Sequence, residues 1–530
     1  MPSASRHWWI APHVDERVVT AARLLPDYLS QHVLLSAAAL GLGLVISLPL
    51  VIAATRHASV RWPVLGFASV VQTVPSLALL ALFYPLLLAA ASASKYLFGY
   101  GFSALGFLPS LLALTLYSML PILRNGVTGL LNVDPAIIEA ARGVGMTDRQ
   151  SLLRVELPLA APVLMAGIRT AAVWVIGAAT LSTPVGQTSL GNYIFSGLQV
   201  ENWVSVLFGC GAAVVLAILT DQLLGLIELG VSRRTPRPIW VGVGLLLAGV
   251  AAAGSVQIAT GASTSYVIGA KNFSEQYILA DLMSDLIRGA GHAVTTRADL
   301  GSVIAFRALA SNEIDAYVDY SGTVWANVMG RKDSLPRERM LQEMRRALRK
   351  DSGVLLLGTL GFENAYALAM RRDRAESLGI RTITDLAQQA PELAIGGDLE
   401  FFSRPEWLAL RQRYGLHFRE HRQYQPTFMY RALASRDVDV ISAFSSDGRI
   451  AADNLVVLQD PQQVIPPYDA IVLISPARAA DRVLRGALAP LLGAIPIELM
   501  RQANYKVDRD TDKIPPDKAA EWLAAAAHIR

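Results

Sequence analysis

Residues 139–158 read EAARGVGMTDRQSLLRVELP, a charged stretch set between two others apolar enough to cross a bilayer. It carries Glu139, Arg142, Asp148, Arg149, Arg154 and Glu156. Just ahead of it, Asp134-Pro135 reads as an N-cap followed by a first-turn proline. A short helix with Ile137, Ile138 and Ala141 would then end at Gly143 or Gly145. Thr147-x-x-Gln150 is a capping-box pattern for a second helix bearing Leu152, Leu153 and Val155. Leu157-Pro158 leads into the next apolar run. The spacing predicts a helix, a glycine break and a helix. Such a segment either lies on the membrane surface as an amphipathic helix or docks a partner through its apolar side chains.

Outward from there, about 20 apolar residues are needed per span. Runs at 33–54, 64–92, 104–123, 159–182, 204–229 and 239–258 qualify, giving six spans, one more or fewer. Pro75 and Pro85 suggest that the second run is bent or re-entrant. Asp221 and Glu228 suggest that the fifth stops early. Arg169 lies inside the fourth, where a charge costs roughly 2.5–3.5 kcal/mol; it either lines an interior pathway or reaches back to the interface.

Lysine and arginine positions set the orientation. Arg56 and Arg61, then Arg124, Arg142, Arg149 and Arg154, then Arg233, Arg234 and Arg237 mark the cytoplasmic loops. The loop after the second run holds only Lys95, and residues 183–203 hold no Lys or Arg. The expected layout has four parts. Residues 1–32 form an N-terminal extracytoplasmic segment, and 33–232 an all-α transmembrane domain with 139–158 on its cytoplasmic side. Residues 233–264 supply the sixth span and a linker, and 265–530 an extracytoplasmic domain. The start, MPSASRHWWIAPHVDERVV, lacks the pattern of a secretory signal peptide. A net charge of +4 over 530 residues gives no reason to expect a nucleic-acid partner, and the single Cys210 excludes an intrachain disulfide.

Beyond the linker TGASTS (260–265), the chain alternates strand and helix. YVIG at 266–269 reads as a buried strand. Ser274 opens a helix with Ile278, Leu279, Leu282 and Leu286 as its stripe. This alternation predicts an α/β domain with parallel sheets, whose ligand edge would carry Lys271, Tyr320 and Phe444. Two phrases echo each other, ALASNEIDAYVDYSG and ALASRDVDVISAFSSDG. They mark either two facing half-structures with a cleft between them or ordinary α/β regularity.

In residue order, 139–158 resembles the EAA loop of ABC importer permeases. Glu139-Ala140-Ala141, Gly145, Val155 and Leu157-Pro158 fill every position of that pattern. The resemblance implies that the loop fits a cleft on a cytoplasmic ATPase and transmits its closure to the spans. The chain has no GxxxxGK[ST] phosphate loop, the nearest candidate at 322–332 having the wrong spacing. It therefore needs no cofactor of its own, and ATP is expected on a separate ATPase subunit.

Residues 266–530 resemble the periplasmic-type binding proteins for glycine betaine, choline and related quaternary ammonium compounds. The resemblance rests on GAKNFSEQ (269–276), YVDYSGT (317–323), GFENAYALAM (361–370), SSDGRI (445–450) and PPYDA (466–470). It implies a two-lobed domain with an aromatic box of Tyr320, Tyr366, Phe444 and Tyr468. A trimethylammonium group has no N–H to donate, so ring faces, each worth roughly 0.5–2 kcal/mol, must hold it. Lys271 and Arg404 would meet a ligand carboxylate, with Thr323 adding a hydroxyl. Phe444 departs from the tyrosine usual there, keeping the π face and losing the hydroxyl.

The expected protein is the permease and receptor of an osmoprotectant importer in a bacterial inner membrane. It would work as a homodimer, with no catalytic residues and no metal. The alternative is a ligand-gated sensor or channel with an outer solute-binding domain. A membrane-anchored enzyme using Asp315 and Asp319 is disfavoured, since on an extended strand they stand roughly 13 Å apart, beyond glycosidase spacing.

Overall fold

The computed structural model describes residues 16–99, 102, 104–199, 202–261, 266–331, 333, 335–398, 400–509 and 511–529. The linker expected at 260–265 and the first part of the N-terminal segment therefore lie largely outside the described residues.

The first half is helical: α1 (Glu16–Arg56), α2 (Ala58–Thr73), α3 (Ser76–Phe98), α4 (Phe107–Leu131), α5 (Pro135–Gly143), α6 (Asp148–Ser151), α7 (Leu157–Ala179), α8 (Gly191–Gln199), α9 (Trp203–Ser232) and α10 (Pro236–Gly261). Among the described residues, six helices are long and apolar enough to cross a membrane. Helix α1 begins well ahead of the apolar run at 33. The run at 64–92 is divided: α2 stops at Thr73, before Pro75, whose ring disfavours a helical residue in front of it, and α3 carries the span. Helix α4 is the most buried, packed between α1 and α7. Small residues permit that approach: a Cβ on Gly167 would stand 2.7 Å from the Pro121 carbonyl oxygen.

Helix α9 runs to Ser232, through both acidic residues expected to end it. Arg169 of α7 explains this. Its Nε and Nη2 donate to Asp221 at 2.8 and 2.7 Å, and its Nη1 to Glu228 at 2.8 Å. The arginine thus joins two spans in an ion triad, which supplies the counter-charges that a guanidinium inside a span needs.

The second half has two lobes. β1 (Tyr266–Lys271), β2 (Val294–Leu300), β3 (Ala316–Tyr320), β4 (Leu355–Glu363) and β10 (Asp469–Ile474) form a sheet in the order β2-β1-β3-β10-β4. β5 (Tyr366–Arg371), β6 (Ala394–Asp398), β7 (Glu420–Tyr424), β8 (Val440–Phe444) and β9 (Leu455–Val457) form the other, in the order β7-β6-β8-β5-β9. Both sheets are mixed rather than parallel. β10 runs antiparallel to β3 and β4, and β5 antiparallel to β8 and β9, because the chain crosses between lobes after β4 and after β9 and re-enters head-on. The crossings touch where Asn364 N–H donates to the Tyr468 carbonyl at 3.0 Å.

The two echoing phrases occupy equivalent places. Each runs from a helix (α12, Ser302–Ala310, and the helix Pro426–Ala434) into the central strand, β3 or β8. Asn312 and Arg436 both adopt left-handed φ, 66° and 68°. Asp315 accepts from Val267 N at 2.9 Å, as Asp439 accepts from Ala394 N at 3.0 Å. The likeness extends to the hydrogen bonds of each turn.

Candidate functional site: the interlobe cleft

Tyr366 opens β5 at one crossing, and Tyr468 ends the loop before β10 at the other. Their rings meet at 5.9 Å and 87°. Phe444, directly across the β5–β8 ladder from Tyr366, lies 5.1 Å from it, and Phe401 lies 5.1 Å away on another side. The Arg404 guanidinium stands over Tyr366 at 5.1 Å and over Tyr468 at 5.6 Å. It donates to the Tyr468 hydroxyl at 2.9 Å, and that hydroxyl donates to Glu406. Arg404 also pairs with Glu400 and Glu406.

Tyr320 ends β3 on the lobe-one side. Its hydroxyl donates to Glu275 and accepts from Gln276 Nε2 at 3.0 Å. Lys271 lies 5.3 Å from its ring centroid and is ion-paired with Asp319. Phe273 stacks on its other neighbourhood at 6.1 Å. Thr323 is buried in the short turn Ser321–Thr323 that follows. Gly322 of that turn carries the Tyr468 ring flat on its backbone: an added Cβ would meet ring carbons at 2.5–2.7 Å. Ser321 holds both ends of the contact, donating to the Pro467 carbonyl at 3.0 Å and accepting from Asp469 N at 2.9 Å.

Every residue expected here thus lies at the junction of the lobes, in two adjoining groups. Tyr366, Phe444, Tyr468 and Arg404 make one, and Lys271, Tyr320 and Thr323 the other. Tyr468 is 1% exposed, Arg404 3%, Tyr320 4% and Tyr366 6%. The lobes touch over the site, Asn327 Nδ2 donating to Glu400 at 3.1 Å. Burial pushes the Tyr320, Tyr366 and Tyr468 phenols well up, so they stay neutral, and Tyr320 and Tyr468 donate.

Several residues that share the site escaped the reading of the sequence. Glu275 fastens the cleft: it accepts from Tyr320, from Asn364 Nδ2 at 3.2 Å and from Asn504 Nδ2 at 2.8 Å, and Asn504 also donates to the Ser446 carbonyl at 2.9 Å. Glu275 and Asn364 fall inside phrases already singled out, yet nothing in their spacing separates a fastening carboxylate from a solvated one. Phe401, Glu406 and Asp398 come together only through the turn 398–406, where Phe401 N donates to Asp398 Oδ1 at 2.6 Å. Burial pushes the Asp398 carboxyl up to about 6, against the pull of the Phe401 N–H. Asp315 and Asp319, weighed as an enzymic pair, are engaged by Arg478 and Lys271. Among the described residues no group of His, Cys, Asp and Glu could hold a metal ion.

On the opposite side of the helical half, the segment 139–158 has the expected helix, glycine break and helix. Asp134 caps α5 by accepting from Ala136 N at 2.9 Å, Gly145 takes φ 84°, and Thr147 and Gln150 close a capping box at 2.9 and 3.3 Å. Glu139, Ala140 and Pro158 are exposed and Ala141 is buried. Ile137, Val144 and Leu153 stand exposed on its surface. At Leu157-Pro158, which leads into the next apolar run, the second helix passes through a π-turn, Leu152–Glu156, straight into α7. The wider turn accommodates Pro158, which brings no N–H to the helix. Glu156 is buried, held by Arg56 at 2.8 Å and Ser151 at 3.1 Å.

A bundle of spans with a charged helix–break–helix segment on one side and a two-lobed, aromatic-lined domain on the other is the build of a binding-protein-dependent importer. Comparison with known proteins agrees for both halves. Residues 45–233 match the family of binding-protein-dependent transport system inner membrane components, and 264–525 the substrate-binding domain of ABC-type glycine betaine transport systems. An ergothioneine transport permease/ergothioneine binding protein of Helicobacter pylori is 28% identical over 464 residues, covering 84% of this chain and 80% of its own. A glycine betaine/carnitine/choline transport permease of Bacillus subtilis is 39% identical over 198 residues (37% of this chain, 84% of its own). A glycine-betaine-binding protein of Pseudomonas aeruginosa is 30% identical over 295 residues (53% and 92%). The chain belongs to the ABC importer family for glycine betaine, choline and related compounds, with permease and substrate-binding domain fused. It is a multi-pass inner-membrane protein whose binding domain is extracytoplasmic.

Proposed function

We propose that the chain imports a small quaternary ammonium solute as a homodimer driven by a separate cytoplasmic ATPase. The observation that carries this reading is the closed aromatic corner of Tyr366, Phe444, Phe401 and Tyr468 amid an excess of carboxylates. A permanent cation without N–H groups is held by ring faces and nearby negative charge. Lys271 and Arg404, buried cations at the cleft, already face Asp319, Glu400 and Glu406, which offsets their repulsion of such a ligand. Both also stay within reach of a carboxylate-bearing one, and Thr323 adds a hydroxyl. Glycine betaine, choline and ergothioneine share the trimethylammonium head that the relatives' names have in common. Exposed Ile137, Val144 and Leu153 on the coupling segment, around Glu139, Ala140 and Gly145, support an ATPase partner, and no phosphate loop stands in this chain.

The test is calorimetric titration of the solubilised full chain with choline, glycine betaine and ergothioneine, sucrose serving as control. One quaternary compound is expected to bind, and Tyr366→Ala to weaken it at least about tenfold. Failure of all three to bind would sink the substrate class. Uptake that persists in cells lacking the ATPase would instead favour a gated channel.

A further inference from the structure

Asp299 is a non-glycine residue with φ 65° near the end of β2. The β1–β2 ladder slips there, from Gly269↔Arg297 to Lys271↔Leu300, so that one residue of β1 faces two of β2. A bulge of this kind re-aims a side chain, and the left-handed region is one that Asp tolerates better than most. The result is a buried carboxylate, 4% exposed, at the meeting of receptor and permease. It accepts from the Tyr277 hydroxyl of α11 (Ser274–Gly289), and from Asn192 Nδ2 of α8 at 3.4 Å. Asn192 is itself oriented, its Oδ1 accepting from Ser189 N at 2.8 Å and Thr183 Oγ1 at 3.3 Å. Next along β2, Leu300 rests on Gly186, where an added Cβ would lie 3.4 Å from it, and joins the apolar cluster of Tyr84, Ala104 and Leu105.

These contacts lie one step from the ligand cleft. Leu300 pairs across the ladder with Lys271. Tyr277 follows Glu275 and Gln276 in the first turn of α11, and those two hold the Tyr320 hydroxyl. Gln276 Oε1 also accepts from Lys271 N at 3.3 Å. A single helical turn therefore presents Glu275 and Gln276 to the aromatic site and Tyr277 to the permease contact. Rigid packing of this sort passes a displacement on, because a dense interior has little room to absorb it.

We propose that Tyr277, Asp299 and Asn192 form the link by which an occupied cleft engages the outer mouth of its own permease. Asp299 is then a positioning residue of transport and not a ligand contact. The inference rests on the importer reading above.

The experiment uses the full chain with its ATPase subunit in nanodiscs. Choline and glycine betaine titrations are set beside solute-stimulated ATP hydrolysis for wild type, Asp299→Asn, Asn192→Ala and the double variant. Solute affinity is expected within about twofold of wild type, stimulation to fall at least about fivefold in each single variant, and the double variant to be no worse than the singles. Wild-type stimulation in Asp299→Asn, or losses that multiply in the double variant, would overturn the link. A second measurement does not depend on solute or hydrolysis. In a C210S background, the N192C/D299C pair is treated with a short bifunctional thiol reagent. Efficient intrachain cross-linking is expected, and its absence overturns the docking contact. If no quaternary compound binds wild type while the cross-link forms, the substrate reading fails and the contact stands.

Discussion

Tyr366 shows how one side chain serves several purposes at the cleft. It starts a strand at the first crossing, pairs with Phe444 across the ladder, and meets Tyr468 from the second crossing edge-on. Phe444 keeps this geometry without a hydroxyl, since ring-on-ring contact and not a hydrogen bond holds it there. Asp398 supplies a pH test. Its carboxyl, raised by burial to about 6, is neutral below that value and anionic above it. A bound cation favours the anion and so lowers this pKa, and by linkage affinity must rise as pH climbs through about 6 and level off beyond. Titrations from pH 5 to 7.5 should show that rise in wild type and a flat profile in Asp398→Asn; a flat wild type would remove Asp398 from the site. Gly322 supplies a steric test. Gly322→Ala puts a methyl into the Tyr468 ring, costing about 1–3 kcal/mol in thermal or denaturant stability and weakening solute binding in calorimetry, whereas unchanged affinity would show that Tyr468 can move freely.

Among the elements, the ion triad of α7 and α9 carries the plainest expectation. Arg169→Leu leaves Asp221 and Glu228 unpaired between spans and should destabilise the chain by about 3 kcal/mol or more, read as lost monodisperse yield and a lowered Tm in detergent. Adding Asp221→Asn and Glu228→Gln should recover part of that loss; no recovery would mean that the arginine acts through packing alone. On the segment proposed to meet the ATPase, Leu153→Glu should leave solute binding intact and abolish uptake, because the residue is exposed and apolar where that partner would sit. Much here was legible in the residues. The N-cap at Asp134, the capping box at Thr147 and the break at Gly145 are local devices, set by a few neighbouring side chains, and they stand as the spacing implies. The continuity of α6 into α7 was not legible, because it depends on a π-turn that answers Pro158. The length of α9 was hidden as well, since Asp221 and Glu228 find their counter-charge on a span far away in sequence.

For the whole molecule, the echoing phrases left two facing halves and ordinary α/β regularity both open, and the resemblance of residues 266–530 implied the two lobes; the structure gives the phrases matching turns. The mixed sheets could not, as strand direction there follows from the chain's passage between lobes and not from any periodicity. The contact of Asp299 with Asn192 was equally out of reach, since it joins halves that each read as complete. Fusion has a measurable benefit. A receptor joined covalently beside its mouth acts at an effective concentration of about millimolar order. Severing the chain within residues 262–265 should therefore leave solute affinity unchanged and cut uptake at dilute permease by at least about tenfold, restored by adding free receptor at roughly millimolar level. Undiminished uptake after severing would mean that the docked contact alone holds the receptor in place.

The unbroken helix from Asp148 has a mechanical meaning. With the turn Thr180–Val185 it spans 38 residues, roughly 55 Å at about 1.5 Å per residue. One end lies in the segment proposed to meet the ATPase, and the other runs into Gly186, on which Leu300 of the receptor rests. A rod of that length is a lever. A tilt of about 5° at its cytoplasmic end swings the outer end by roughly 4–5 Å, more than the thickness of a methyl contact. The stroke begun inside the cell would then unseat the receptor outside it, so that one rigid arm both opens the path and dismisses the donor.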